Sequence, residues 1–182
     1  KSTLPKPLHK IAGRSMIHHV IATAEELAPE KIVIVIGPDM PQMAEAVHPY
    51  PVAVQTVANG TAGAVLAARE HFNDFDGDIL VLFGDCPLMS AQSLRRIVDI
   101  RHQFPAIGLT FAGVTLDNPK MYGRMVLDED GTLKKIVEYK DTTEAEKKIR
   151  LCNGGIVCGD GSKFFSWVAQ VGNDNKAREF YL

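Results

Sequence analysis

Residues 79–85, with the sequence ILVLFGD, decide the fold class of this chain. Five consecutive apolar residues predict a strand buried on both faces, which is typical of a parallel sheet covered by helices. Gly84 ends the strand, and Asp85 then places a carboxylate beyond its carboxyl end. In open α/β sheets, ligands bind at this edge. The stretch therefore predicts both an α/β fold and a polar site.

Apolar strands alternate with amphipathic helices through the first two thirds of the chain. Strands are predicted over residues 31–36, 52–54, 79–83 and 107–114. Helices are predicted over residues 16–29, 42–47 and 61–71 and after Ser90. This alternation predicts a Rossmann-like, three-layer α/β/α fold with a mostly parallel sheet.

The pattern changes after residue 115. Residues 124–127 and 133–139 flank a turn at 128–131, which predicts a β-hairpin lobe over the carboxyl edge of the sheet. Thr143 and Glu146 have the spacing of a helix capping box. A further strand is predicted over residues 156–158. Aromatic residues between 164 and 168 predict a final helix whose apolar side belongs to the core.

Composition narrows the function classes. The 182 residues carry a net charge of -2 with acids and bases interspersed, which argues against a nucleic-acid partner. No apolar run reaches 18 residues, so we expect no membrane span. Cys86, Cys152 and Cys158 form no Cys-x-x-Cys pair, which favours small buried hydrophobes in a reducing cytoplasm over a zinc site.

Asp85 and Lys6 are the charged candidates. A carboxylate at a strand end suits Mg²⁺, which prefers one or two carboxylates together with phosphate oxygens. Position alone fits a cap on the Cys86–Pro87 turn equally well. Lys6 lies between two prolines, and a lysine held this rigidly suits a phosphate; a solvated surface lysine is the simpler interpretation.

Gln55 and the turn at Gly60–Thr61 form a second candidate. A strand runs into a turn of small residues that opens a helix, so backbone amides could face an anion or a base edge. An ordinary turn with Thr61 as the helix N-cap explains the same residues.

Gly123, Glu138 and Asn153 form a third candidate. A glycine lets a substrate lie against the backbone, and Glu and Asn offer the acceptors and donors that sugar hydroxyls need. Taken individually, each of them could instead be a hairpin residue or a charge that flanks a helix.

Taken together, these motifs resemble the uridyltransferase domain of the bacterial bifunctional GlmU family, within the sugar nucleotidyltransferase superfamily. The resemblance covers essentially the whole chain and rests on segments in this order: LPKPLH at 4–9, Gln55 with Gly60–Thr61, FGDCPL at 83–88, YGR at 122–124, VEYKD at 137–141 and NGG at 153–155. It implies the nucleotide-diphospho-sugar transferase fold, with the hairpin lobe binding the sugar.

The resemblance also implies a reaction: UTP and N-acetylglucosamine 1-phosphate give UDP-N-acetylglucosamine and pyrophosphate, for cell-wall and lipopolysaccharide precursors. By the same resemblance, Lys6 contacts phosphate and Asp85 binds Mg²⁺. Gln55, Gly60 and Thr61 read uracil. Gly123, Glu138 and Asn153 hold the amino sugar.

The chain departs from the family pattern in several places. Phe83 stands where the family often has Tyr, Gly154 replaces a usual Thr or Ser, and Asn59 and Ala62 alter the turn beside the base. These changes affect sugar and base contacts and leave the reaction class intact.

We also expect pieces of the domain to be missing at both ends of this sequence. The Gly-rich phosphate loop would precede Lys6, and a second metal ligand would follow residue 182. The β-helix acetyltransferase domain, through which the complete protein would form a homotrimer, would be absent. The 182 residues alone would then be inactive.

Two other functions stay open. Another sugar-1-phosphate nucleotidyltransferase, using dTTP and glucose 1-phosphate for example, would share most of these residues. A non-catalytic nucleotide-sugar binder would keep the pocket without metal-dependent turnover.

Overall fold

The computed structural model describes residues 3–104 and 106–182, which form an α/β fold. The helices are α1 (Met16–Glu25), α2 (Pro41–Ala46), α3 (Thr61–Ala67), α4 (Ala91–Gln103) and α5 (Gly161–Val168). The strands are β1 (Lys10–Ile11), β2 (Arg14–Ser15), β3 (Ile34–Ile36), β4 (Val52–Val54), β5 (Asp78–Val81), β6 (Leu109–Thr115), β7 (Arg124–Leu127), β8 (Leu133–Val137) and β9 (Leu151–Asp160).

The long strand β9 shows how the layers are built, because its side chains alternate between two helical layers. Val157 belongs to a buried cluster with Phe164 of α5 on one face. Ile156 and Cys158 belong to another cluster with Leu94 of α4 on the opposite face. Helices therefore cover both faces of the sheet, and the predicted three-layer α/β/α, Rossmann-like architecture is confirmed.

The direction of the strands differs from the prediction of a mostly parallel sheet. Within the described residues, β3 and β4 are parallel, whereas β9 pairs antiparallel with β5, β6 and β7. β5 and β6 run in the same direction but are separated by β9 over residues 157–159. The continuous apolar runs were misleading here because they report burial on both faces, not the direction of the neighbouring strand.

Most predicted elements are present with shifted ends. The run at 31–36 pairs as a strand only from Ile34, and the helix expected over 61–71 divides into α3 and a 3₁₀ turn at Arg69–Phe72. The predicted hairpin joins β7 to β8, with the Asp128 amide donating to the Thr132 carbonyl at 2.9 Å. Its turn needs Gly131, whose φ is +83°.

The final helix and two of the cysteines belong to the core. Phe164, Phe165 and Val168 of α5 are buried, as the aromatic cluster predicted. Cys152 and Cys158 are fully buried, and burial raises the pKa of the Cys158 thiol to about 12. No helix in the described parts of the chain is long and apolar enough to cross a bilayer.

Candidate active site

Lys6 and Asp85 form an ion pair just beyond the carboxyl end of β5. Lys6 lies in a 3₁₀ turn that Pro5 precedes and Pro7 continues, and its Nζ is 2.6 Å from Asp85 Oδ2. The hydrogen bond from Lys6 to Asp85 raises the pKa of the lysine ammonium. The fold therefore places side by side two residues that the sequence identified separately.

Gly84 lets this strand end pack closely against α1. A Cβ at Gly84 would lie 3.0 Å from Ile17 Cδ1 and 3.7 Å from Pro7 Cβ. A larger residue would push the Asp85 segment away from the Lys6 turn. The glycine thus helps to hold the ion pair together.

The donors around Asp85 suit a phosphate-bound cation better than a cation held by protein alone. The Asp85 side chain is about one-third exposed, and no group of three or more His, Cys, Asp or Glu side chains among the described residues could enclose a metal. Mg²⁺ is commonly held by one or two carboxylates, with substrate phosphates completing its octahedral shell. The residues present therefore fit a Mg²⁺ ion that arrives with a nucleotide.

Residues 55–61, which we call the base-side turn after the role expected from the sequence, follow β4 and lead into α3. The Gln55 amide extends the β3–β4 pairing by donating to the Ile36 carbonyl at 2.8 Å. Its side-chain Nε2 donates to the Gly60 carbonyl at 3.0 Å and to Asn59 Oδ1 at 3.1 Å. Gln55 is thus fastened to the turn that the sequence predicted as its partner.

The end of the described chain lies across the base-side turn. Phe180 donates its amide to the Asn59 carbonyl at 2.7 Å and accepts from the Ala62 amide at 2.9 Å, and the Leu182 amide donates to Thr61 Oγ1 at 2.8 Å. Gly60 has a φ of +115°, and a Cβ there would lie 2.4 Å from the Phe180 carbonyl oxygen. Only glycine suits this position.

Three residues come together where β7, β8 and β9 meet: Gly123, Glu138 and Asn153. We call them the sugar-side group after the role expected from the sequence. The Asn153 amide donates to the Gly123 carbonyl at 2.9 Å, and a Cβ at Gly123 would lie 3.0 Å from Glu138 Oε1. Asn153 Oδ1 accepts from the Gly155 amide at 2.9 Å, which fixes the orientation of the carboxamide. The predicted grouping of these three residues is therefore present in the fold.

Glu138 is the electrostatically unusual member of this group. Burial raises the pKa of its carboxyl, and the nearby acids Asp141 and Glu179 raise it further. The charged form of a half-buried carboxylate beside other acids is stabilised by any ligand that donates hydrogen bonds to it. Hydroxyl and amide groups are donors of this kind.

Close packing at one place and an electrostatic interaction at another connect the three groups. A Cβ at Gly155, beside Asn153, would lie 2.8 Å from the Phe83 ring, so the strand end that carries Asp85 adjoins the sugar-side group. Phe180 touches the base-side turn, while the preceding Glu179 acts on the pKa of Glu138. The base-side turn and the sugar-side group are therefore bridged by the same short segment.

Sequence reasoning missed the contribution of this segment, residues 179–182. Sequence reasoning gave this segment no role, although its aromatic residues, Phe180 and Tyr181, are a signal for packing. It also gave no role to Arg124, which is 2% exposed and donates to the Lys120 carbonyl at 3.0 Å and to the Tyr122 carbonyl. Arg124 belongs to the motif at 122–124, but nothing in that motif indicates that its side chain is buried.

Comparison with known proteins gives the site its context. Residues 2–143 match the family model of the MobA-like NTP transferase domain. Among curated proteins, the chain is 42% identical over its whole length to the bifunctional protein GlmU of Gluconobacter oxydans and 40% identical to that of Paramagnetospirillum magneticum. In both cases it spans 40% of the relative's length. The resemblance noted from the motifs is confirmed by these relatives.

Solved structures of distant proteins share the fold. A UDP-glucose pyrophosphorylase complexed with UDP-glucose aligns with a TM-score of 0.78 at 14% identity, covering 98% of this chain and 76% of that one. A putative glucose-1-phosphate thymidylyltransferase from Bacillus anthracis aligns with a TM-score of 0.73 at 18% identity, covering 96% and 69%. At these identities the likeness is one of fold.

Proposed function

We propose a function from the premise that this chain belongs to the family of MobA-like NTP transferase domains. The protein is proposed to join a nucleoside triphosphate to a sugar 1-phosphate and release pyrophosphate. The observation that carries the proposal is the Lys6–Asp85 pair at the strand end, beside the sugar-side group. Residues 179–182 in turn connect the sugar-side group to the base-side turn. A nucleotidyltransferase needs this combination of charges and subsites.

The proposed chemistry is a single displacement. A phosphate oxygen of the sugar phosphate forms a bond to the α-phosphorus of the nucleotide, and the bond to the pyrophosphate leaving group breaks. Both substrates are anions, so catalysis depends on neutralising charge and aligning the attacking oxygen. The Lys6 ammonium supplies a positive charge from the protein and orients a phosphate group.

A divalent cation is expected in this family, and we propose Mg²⁺ with Asp85 as its protein ligand. When bound, the ion would neutralise phosphate charge and help to orient the triphosphate. The single carboxylate and its partial exposure support this assignment, because they leave room for phosphate oxygens.

We propose UTP and N-acetylglucosamine 1-phosphate as the substrates. Support comes from the GlmU relatives and from Glu138 and Asn153, whose acceptor and mixed donor–acceptor groups suit an acetamido sugar. Gln55, Gly60 and Thr61 would read the uracil edge. The complete protein is proposed to act in the cytoplasm, as a trimer assembled through a further domain.

The experiment is a pyrophosphate-release panel on the protein as its gene encodes it. UTP, dTTP and CTP are each combined with N-acetylglucosamine 1-phosphate and glucose 1-phosphate, with and without Mg²⁺. We expect UTP with the acetamido sugar to give the highest kcat/KM and chelation to abolish turnover. Equal or faster turnover with dTTP and glucose 1-phosphate would favour the alternative sugar nucleotidyltransferase. Binding of UDP-N-acetylglucosamine without turnover would instead identify a non-catalytic binder.

A further inference from the structure

Asn59 occupies a position between Gln55 and α3 that the proposed function does not use. Its Oδ1 accepts a hydrogen bond from Gln55 Nε2 at 3.1 Å. Its backbone carbonyl accepts from the Phe180 amide at 2.7 Å, so the residue is fastened at both its main chain and its side chain. Asn59 lies within the base-side turn without being one of the residues expected to touch the base.

The hydrogen bonds determine which way the Gln55 carboxamide points. The Gly60 carbonyl can only accept, so the Gln55 atom 3.0 Å from it must be the amide nitrogen. The second hydrogen of that nitrogen is directed to Asn59, which must therefore present its own oxygen. With both hydrogens of Nε2 in use, the carbonyl oxygen of Gln55 is left as its free acceptor among the described residues.

Gly63 provides the space for the Asn59 side chain. A Cβ at Gly63 would lie only 1.8 Å from Asn59 Oδ1 and 2.8 Å from Asn59 Cγ. Gly63 is in the first turn of α3 and has an ordinary negative φ, so the helix geometry itself does not require a glycine. The need for a glycine arises from the asparagine.

We propose that Asn59 is a positioning residue that sets the base preference of this enzyme by holding the Gln55 carboxamide in one orientation. The proposal rests on the proposed function, in which Gln55 faces the base. A carbonyl acceptor suits the N3–H donor of uracil, whereas the corresponding atom of cytosine is an acceptor and would be repelled. Without Asn59, the Gly60 bond is the one hydrogen bond from the described residues that opposes a flip of the carboxamide. A flipped Gln55 would present its NH₂ to the base.

The first test replaces Asn59 and measures steady-state kinetics with UTP and CTP. We expect Asn59→Ala to lower the UTP-to-CTP ratio of kcat/KM by up to about tenfold, which is the scale of one hydrogen bond. KM for the sugar 1-phosphate should stay unchanged. Asn59→Asp keeps an oxygen that accepts from Gln55 and should restore most of the preference for UTP.

The second test displaces the Asn59 side chain by a substitution at the neighbouring Gly63. Gly63→Ala should displace the Asn59 side chain and reproduce the loss of base preference, although it changes neither Asn59 nor Gln55. In the Asn59→Ala background, the same Gly63→Ala change should have no further effect, because the atom it would strike is gone. Gly172→Ala, at a glycine with no heavy atom within 4 Å of an added Cβ, is the matched control.

The outcomes separate this inference from the proposed function. Wild-type turnover of UTP together with an unchanged UTP-to-CTP ratio in Asn59→Ala would overturn the role of Asn59 alone. An equal effect of Gly63→Ala on the UTP-to-CTP ratio in the wild type and in the Asn59→Ala background would also overturn it. Failure of the wild type to bind or turn over UTP would instead remove the proposed function, and this inference with it. Thermal melting of every variant identifies any that lose activity by unfolding.

Discussion

Asp85 is the residue on which the proposed chemistry depends most directly. Asp85→Asn is nearly isosteric but removes the anionic ligand and weakens the bond from Lys6. Because the side chain is partly exposed, we expect the fold to persist while kcat falls by about 100-fold or more. Pyrophosphate-release kinetics across a Mg²⁺ titration measure the effect, and Asp99→Asn, at an exposed position on α4, is the control. Near wild-type rates at ordinary Mg²⁺ concentrations would show that Asp85 serves only as a cap on the Cys86–Pro87 turn.

The charge on Glu138 that is proposed to suit sugar binding also lowers the stability of the fold. Its folded-state pKa is raised by burial and by neighbouring acids, so the charged form is less stable in the fold than in the unfolded chain. Glu138→Gln should therefore raise Tm above pH 7. The difference should disappear below about pH 4.5, the ordinary pKa of this carboxyl, where it is neutral in both states. Melting curves of both proteins from pH 3 to pH 8 test this, and a lower Tm for the variant at pH 8 would contradict it.

The same substitution should weaken the sugar side of the reaction. We expect a higher KM for the sugar 1-phosphate in Glu138→Gln and little change in KM for UTP. In the wild type, KM for the sugar 1-phosphate should rise as the pH falls through the raised pKa of Glu138. An unchanged sugar KM in the variant would leave Glu138 as a structural residue of the lobe.

At the scale of the element, the predicted capping box after β8 is present. The Glu146 amide donates to Thr143 Oγ1 at 3.2 Å, and the Thr143 amide donates to Glu146 Oε2 at 2.8 Å. A hydrogen bond from Lys135 and those from Thr143 lower the pKa of Glu146 to about 2. The box leads into a 3₁₀ turn, Glu146–Lys148, whose N-cap residue is Ala145. The hydrogen bond from Lys135 to Glu146 ties this turn to β8.

The depressed pKa gives this element a definite pH dependence. The stability contributed by ionised Glu146 is fully present above its unfolded pKa of about 4.5 and is lost as the pH falls towards about 2. Glu146→Gln should therefore lower Tm at pH 7, with a difference that shrinks between pH 4.5 and pH 2. Thermal melts over this range measure it. Identical Tm values at pH 7 would show that the charge of Glu146 adds no stability, because a glutamine can still form the capping box.

At the scale of the whole molecule, residues 179–182 connect distant parts of the chain. Phe180 packs against the core cluster that contains Val65 of α3 and Phe164 of α5, and its backbone holds the base-side turn. Phe180→Ala should cost about 2 kcal/mol of unfolding free energy, less than for a fully buried ring. It should also raise KM for UTP several-fold, because the turn loses its support.

Chemical denaturation and UTP kinetics of the same variant check both effects. Phe104→Ala, at a ring that is 54% exposed, is the matched control and should change stability by less than about 0.5 kcal/mol. A destabilised Phe180→Ala protein with normal UTP kinetics would show that the segment supports the core alone.

The sequence by itself determined the local elements and the identity of the candidate residues. Apolar periodicity located the strands and helices, since it follows directly from which side chains must be buried. The capping box and the turn at Gly131 depend on neighbouring residues, so short motifs were sufficient to predict them. Family motifs then supplied candidate roles for Lys6 and Asp85.

Only the tertiary structure decided how these parts meet. The antiparallel pairing of β9 with β5 and β6 could not be predicted from apolar runs, because burial does not encode strand direction. The raised pKa of Glu138 depends on Glu179, and the orientation of Gln55 depends on Asn59 and on the space at Gly63. Electrostatics and close packing act through space, and residues far apart in sequence meet only when the whole chain has folded.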